Sequence, residues 1–153
     1  MFKAINIYQI VICTLNLVMF VFSIPEIFKT GSDYFVLIIL FSIGSFLVYT
    51  NCYLLSGNLK KRLTFLKVNL YFNLLQVLTF SLLGVSYDFV FGPRVMPYLS
   101  YGSSIDVRFF ADFLNTRLSL FYKPSSVILI GINFIPLIVL ILLSIEYKKY
   151  SKK

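Results

Sequence analysis

Long apolar stretches separated by short polar breaks dominate the pattern of the chain. A helix needs around 20 apolar residues to cross the hydrocarbon core of a bilayer, and four stretches reach that length. They cover residues 4–24, 34–55, 63–86 and 126–145. Their Ile, Val and Phe content also suits strands, but strands run only about 4–8 residues between turn signals. The sequence therefore predicts an all-α membrane protein with a bundle of four transmembrane helices.

The connection between the third and fourth predicted helices, residues 87–125, is the longest piece outside the apolar stretches. Apolar and polar residues alternate over residues 105–109 and again over residues 116–122. Alternation of this kind predicts strands. We expect a short β-hairpin in this outer loop, with residues 111–115 joining its two strands.

Composition supports the membrane interpretation. Hydrophobic residues make up 59% of the chain and charged residues 13%, with a mean hydropathy of +0.87. A soluble domain has roughly 45–50% apolar and about 25% charged residues, whereas disordered chains combine low hydrophobicity with high charge. The composition therefore excludes a soluble domain and a disordered chain, and residues 1–153 are predicted to form a single polytopic membrane domain.

The positions of the charges predict an orientation. The formal net charge is +8. In the four-helix arrangement, the side shared by both termini carries nine Lys and Arg residues and one acidic residue, whereas the other side carries five of each. Basic residues concentrate on the inner side of membrane proteins. We therefore expect an N-in, C-in, multi-pass protein of a bacterial or organellar inner membrane.

Two basic clusters lie at the predicted inner boundary. They consist of Lys60, Lys61, Arg62, Lys148 and Lys149. Basic residues at a membrane surface attract anionic lipid headgroups, and neither cluster is long enough to form an element that reaches nucleic acid. The expected partners are the lipid bilayer and anionic headgroups on the inner face, with no nucleic acid.

Each predicted helix has one narrow polar face. The residues concerned are Asn6, Gln9, Asn16, Ser45, Asn69, Asn73, Gln76 and Asn133. Polar side chains at membrane depth hydrogen-bond across helix interfaces, so these residues are predicted to form helix interfaces or, in an oligomer, the lining of a pore. Pro136 removes a backbone donor and predicts a kink one turn beyond Asn133, whose amide would bind the freed carbonyl.

The residues that usually carry catalysis or bind metal are scarce. The chain has no His and two cysteines, Cys13 and Cys52, which form no CxxC pair. No catalytic residue, metal site or cofactor is predicted. The charged residues of the outer loop, Asp106, Arg108, Asp112 and Arg117, are expected to form ion pairs on the exposed face of the hairpin.

These features predict a non-enzymatic small integral membrane protein. It would act by helix packing, as a homo-oligomer or as an accessory subunit that contacts other membrane subunits. The alternative is a pore-forming or channel-like homo-oligomer such as a membrane-disrupting effector, with the polar faces lining its axis. A membrane enzyme or carrier is disfavoured because relays need titratable groups at membrane depth.

Overall fold

The computed structural model describes residues 2–30, 35–54, 59–102, 104–122 and 127–151. This described part of the chain combines four helices with one antiparallel sheet of four strands in the order β1-β4-β2-β3. Along the chain the elements are α1 (Phe2–Thr30), α2 (Phe35–Leu54), α3 (Leu59–Val77), β1 (Leu78–Leu82), β2 (Val85–Tyr101), β3 (Ile105–Tyr122), β4 (Ile128–Ile132) and α4 (Phe134–Ser151).

The helices contradict the predicted membrane bundle. Among the described residues, no helix combines the length and the apolar character that crossing a membrane requires. The first turn of α3 contains consecutive basic residues, and α4 includes Glu146, Lys148 and Lys149 within its 18 residues. The prediction of an all-α, four-transmembrane-helix protein is therefore wrong. Three further predictions depended on this bundle and are wrong as well. They are the multi-pass localisation, the function as a membrane subunit and the pore-forming alternative.

The first two apolar segments form the first two helices. α1 was expected to end at residue 24 but continues through Pro25 to Thr30. A proline inside a helix removes one hydrogen bond and tends to kink the helix without always ending it. α2 begins and ends within one residue of the expected segment.

The third apolar segment divides into a helix and a strand. α3 ends at Val77, and β1 follows directly. A tight turn at Leu83 and Gly84 then connects β1 to β2, and both residues have positive φ, 49° and 87°. Positive φ at both central positions is typical of two-residue hairpin turns, whose twist suits antiparallel strands. The helix predicted over residues 63–86 is thus wrong in its last part, because β1 pairs with β2 across this turn.

The fourth apolar segment divides in a similar way. β4 is followed by Asn133, and α4 begins at the next residue. The Asn133 Oδ1 atom accepts a hydrogen bond from the Ile135 N–H at 3.3 Å, which is the geometry of a helix N-cap. Pro136 lies in the first turn, where the N–H has no intrahelical partner. The predicted kink inside a helix over residues 126–145 is therefore wrong. Asn133 and Pro136 lie at the start of α4 instead.

β3 is one continuous strand where the sequence predicted two. It pairs antiparallel with β2 along nearly its whole length, and the connection between them passes through Gly102 and Ser104. The alternating runs at 105–109 and 116–122 both pair with β2, and residues 111–115 continue the strand. The predicted hairpin between the two runs is wrong because a longer partner strand, absent from the prediction, lies beside both of them.

β2 holds the sheet together by bending. Its register against β3 shifts between Gly92 and Arg94. The part before the bend pairs with β1, the last residues pair with β4, and β1 and β4 also pair with each other. β1, β2 and β4 therefore close into a ring of strands.

Two apolar clusters connect the elements. Ile5, Leu66, Val139 and Leu143 join α1, α3 and α4. Cys13 of α1, Tyr49 of α2 and Phe91 of β2 form the second cluster. The bent middle of β2 thus packs directly against the helices.

Candidate functional site

A cavity of about 280 Å³ lies at the ring of strands formed by β1, β2 and β4. Adjacent residues of a strand point to opposite faces, so every second residue shares a face. Accordingly, Arg94, Met96 and Tyr98 of β2 all line this cavity. Thr79 of β1 and Phe110 of β3 also contribute to the lining. The cavity therefore combines hydroxyl groups and aromatic rings with the charged groups of Asp88 and Arg94.

Gly92 allows the bend that creates the ring. Its φ is +118°, a conformation that L side chains rarely adopt. A Cβ atom at this position would lie 2.7 Å from the Cγ2 atom of Ile12 on α1. Backbone conformation and close approach to α1 therefore both favour glycine where β2 turns from β1 towards β4.

Arg94 is the centre of a buried ion cluster beside the bend. Its Nη1 atom lies 3.5 Å from Asp88 Oδ2, and its Nη2 atom lies 3.4 Å from Asp112 Oδ2. Thr79 donates a hydrogen bond from Oγ1 to the other oxygen of Asp88 at 3.0 Å. The guanidinium carbon lies 4.2 Å from the centre of the Phe110 ring, within the range of a cation–π contact.

One donor of this cluster has no partner. Arg94 is 5% exposed, and its Nε atom makes no hydrogen bond to any residue that the structure describes. A buried unpaired donor costs free energy, and this one belongs to a side chain that lines the cavity. A hydrogen-bond acceptor bound in the cavity would offset that cost.

An aromatic pair stands at one side of the cavity. The rings of Phe80 and Tyr87 stack with their centres 5.5 Å apart, and the Tyr87 hydroxyl donates to the Leu75 carbonyl at 2.6 Å. Burial, together with the nearby negative charge of Asp88, raises the pKa of Tyr87. Tyr87 is thus held as a neutral phenol and contributes ring surface to the lining.

None of the eight residues of the predicted polar faces lines this cavity. Gln9 of α1 and Asn69 of α3 exchange two hydrogen bonds, of 2.9 and 2.8 Å. Asn73 donates to Asn69 Oδ1 at 2.7 Å, and Gln76 Oε1 accepts the Phe91 N–H at 3.0 Å. Gln9, Asn69 and Asn73 therefore form one hydrogen-bonded amide cluster between α1 and α3, and Gln76 beside it connects α3 to β2.

A cavity of about 30 Å³ adjoins this amide cluster and touches Gln9, Asn73 and Gln76. A volume of this size holds one water molecule when polar partners surround it. It is too small for an organic ligand.

The remaining polar-face residues lie outside this cluster. Asn6, Asn16 and Ser45 are buried on α1 and α2. Asn133, besides capping α4, accepts the Val95 N–H at 3.2 Å and so connects the helix start to β2. The structure brings Gln9, Asn69 and Asn73 into one cluster, places Gln76 beside it and distributes the others. Their predicted role at helix interfaces stays a prediction, whereas the predicted pore lining belonged to the membrane bundle that the structure contradicts.

The two basic clusters lie at the start of α3 and in the last turn of α4. Lys60 and Lys61 lie in α3, but their side chains fall outside the described residues. Arg62 is buried with its guanidinium carbon 3.8 Å from the centre of the Tyr150 ring. Lys148 and Lys149 are exposed in the last turn of α4. Contact between these residues and anionic lipid headgroups stays a prediction.

Sequence reasoning missed the Arg94 cluster. Asp88 and Arg94 were counted only among the five acidic and five basic residues of the outer side, with no predicted contact. Asp112 was expected to form an ion pair on an exposed surface. The signal that could have found the cluster is the short segment from Asp88 to Arg94, in which opposite charges flank an apolar run and Gly92-Pro93. Of the other predicted pairs, Arg108 Nε binds Asp106 Oδ2 at 2.5 Å, and the side chain of Arg117 lies outside the described residues.

Within the described ranges, no group of His, Cys, Asp or Glu residues is arranged to bind a metal ion. Comparison of the chain with known protein families, curated proteins and solved structures finds no match. The geometry of the chain's own side chains therefore carries the functional argument.

Proposed function

We propose that the protein is a non-enzymatic binding module that takes a small uncharged ligand in the cavity ringed by β1, β2 and β4. The observation that carries this proposal is the buried Arg94, whose unpartnered Nε donor belongs to a residue of the cavity wall. A ligand carbonyl or ether oxygen would accept this hydrogen bond.

The charges around Arg94 favour a ligand without net charge. Asp88 and Asp112 both bind the guanidinium, so the three side chains together carry one negative charge when ionised. An anion would meet this net negative charge in a site of low polarity, where desolvation is costly. A neutral molecule with an acceptor avoids both costs, whereas an amidinium cation has only donors and offers the Arg94 Nε donor no acceptor.

The remaining wall chemistry favours a partly apolar ligand. Phe110, Met96 and Leu129 supply apolar surface, and Thr79 and Ser81 supply hydroxyl groups. Ligand sites typically combine apolar walls with a few positioned polar groups, and they occupy about 300–1,000 Å³. A cavity of about 280 Å³ lies at the small end of that range and suits a compact molecule.

The two carboxylates of the site are engaged with Arg94, so neither is free to act as a general base. This engagement supports binding without chemical conversion of the ligand.

Three ring compounds of nearly identical shape test the charge preference. Benzamide is neutral and has a carbonyl acceptor, benzoate is an anion, and benzamidinium is a cation. We expect ligand-observed NMR with the full-length protein to show binding of benzamide and markedly weaker binding of benzoate and benzamidinium. Absence of binding by all three, or preference for benzoate, would contradict the proposal.

Two matched substitutions locate the binding. Leu129→Phe adds volume to the cavity wall, whereas Leu99→Phe makes the same change at a half-exposed position outside the lining, on the neighbouring strand β2. We expect Leu129→Phe to abolish benzamide binding and Leu99→Phe to retain it, with circular dichroism showing that both variants fold. Equal binding by both variants would place the ligand elsewhere.

A further inference from the structure

β3 forms one edge of the sheet, and its first half is open. β3 pairs with β2, and within the described residues no further strand pairs with its other side. The side chains of Ile105, Val107 and Phe109 are 69%, 69% and 66% exposed. A long exposed edge strand with apolar side chains is a template for pairing with another strand.

The apolar residues of this edge continue across the sheet. Direct partners on neighbouring strands share one face, and Val107 lies opposite Leu99, which in turn lies opposite Ile130. All three side chains are more than 40% exposed. The other face of β3 carries Asp106 and Arg108 at this level, so the edge has one apolar face and one charged face.

The charges of the edge are complementary to themselves. When two antiparallel copies of β3 pair around a twofold axis at Val107, Asp106 of one copy lies opposite Arg108 of the other, and the reverse pair forms as well. On the apolar face, Ile105 then lies opposite Phe109 of the second copy. Cross-strand pairs of opposite charge and pairs of apolar residues both stabilise antiparallel sheets.

The exposure of these charges makes the exchange inexpensive. Arg108 and Asp106 have 67% and 39% of their side-chain surface exposed, and they bind each other within one chain. An exposed ion pair contributes little to stability, so replacing the two pairs within the chains by two pairs between them loses little. The next self-complementary register, centred on Phe110, would instead require Asp112, which already binds the buried Arg94.

We propose that the first half of β3 is a homodimer interface, in which two copies of this chain pair antiparallel around Val107 and extend the sheet across both subunits. The partner is a second copy because the charges of this strand are complementary to those of the same strand running antiparallel to it. Residues 105–109 of this interface do not line the ligand cavity, and the test of the interface does not depend on the proposed function.

Charge exchange tests the interface. In a dimer of the Asp106→Arg variant, the new arginine of each subunit would lie opposite Arg108 of the other subunit. In a dimer of the Arg108→Asp variant, two carboxylates would repel each other in the same way. We expect light scattering coupled to size-exclusion chromatography to show a dimer for the unmodified protein, monomers for each variant alone, and a heterodimer when the two variants are mixed.

Mixing distinguishes an interface from a local structural effect. If the Asp106–Arg108 pair only stabilised its own strand, mixing two variants that each lack the pair would restore nothing. A monomeric unmodified protein, or dimers that both single variants retain, would overturn the proposal.

A cysteine on the axis tests the register. Directly opposite residues of an antiparallel pair have Cα atoms about 4.5–5.5 Å apart, a separation that a disulfide can bridge. In a Cys52→Ser background, we expect Val107→Cys to form an intermolecular disulfide under air oxidation, seen as a dimer on non-reducing gels. Ala111→Cys, on the same strand but off the axis, should remain monomeric on the gel, and equal cross-linking by both would contradict this register.

Discussion

At the scale of single residues, burial decides the chemistry of Cys13. Its side chain is fully buried in the cluster with Tyr49 and Phe91, and its thiol lies 3.5 Å from the Ser42 carbonyl oxygen. Burial raises the pKa of Cys13 from 9.0 to about 12. The thiolate is the reactive form of cysteine, so Cys13 is expected to behave as a small apolar side chain with a weak donor.

We predict that native Cys13 resists alkylation. At pH 8 the raised pKa leaves about a thousandfold less thiolate than a thiol of pKa 9.0 would have, and burial restricts access as well. In a Cys52→Ser variant, iodoacetamide should label Cys13 rapidly in denaturant and hardly at all in the folded state, measured by mass spectrometry of the Cys13 peptide. Native labelling should increase as the pH rises towards 12, because ionisation then begins in the folded state. Rapid labelling of the folded protein at pH 8 would contradict the buried position.

At the scale of secondary structure elements, one glycine controls the path of β2. The strand pairs with β1 before the shift in its register against β3 and with β4 after it, and Gly92 at the shift has a φ of +118° and leaves no room for a Cβ atom beside Ile12 of α1. The apolar run that contains Gly92 predicted neither the strand nor its bend. Local sequence indicates a breaker at Gly92-Pro93, but only pairing with three other strands determines what the breaker does.

We predict that Gly92→Ala destabilises the protein by about 1–3 kcal/mol, the usual cost of a strained backbone conformation, with the contact to Ile12 adding to it. Gly44 on α2 is the matched control because nothing lies within 4 Å of a Cβ atom there. Gly44→Ala should raise the unfolding free energy by up to about 1 kcal/mol through helix propensity. Urea denaturation measures both variants, and equal effects would show that the bend does not require glycine.

At the scale of the whole molecule, some polar side chains are buried in contact with each other while many apolar side chains are exposed. Gln9 and Asn69 are buried and bonded to each other although 60 residues separate them. On α1, the large apolar side chains of Ile7, Val11 and Val18 are close to half exposed. Amide pairing therefore contributes to holding α1 against α3, alongside the apolar cluster of Ile5 and its neighbours.

A double-mutant cycle on this amide pair measures that contribution. Gln9→Leu alone removes the acceptor of the buried Asn69 Nδ2 atom, and a buried donor without a partner costs about 1–3 kcal/mol. We expect Gln9→Leu and Asn69→Leu each to lower the unfolding free energy by about that amount, and the double variant to lose less than the sum of the two. Chemical denaturation of all four proteins gives the coupling energy. Strictly additive losses would mean that the two amides do not support each other.

The sequence by itself determined local features of this protein. Apolar length placed the first two helices. Only the tertiary structure decided which apolar runs became strands. Runs of Ile, Val, Leu and Phe satisfy helix and strand alike, and the choice depends on hydrogen bonds to distant partners, as when β1 and β4 pair across about fifty residues of chain. The same limit applies to the candidate site, because Arg94 meets Asp112, and Thr79 meets Asp88, only after β1, β2 and β3 have assembled.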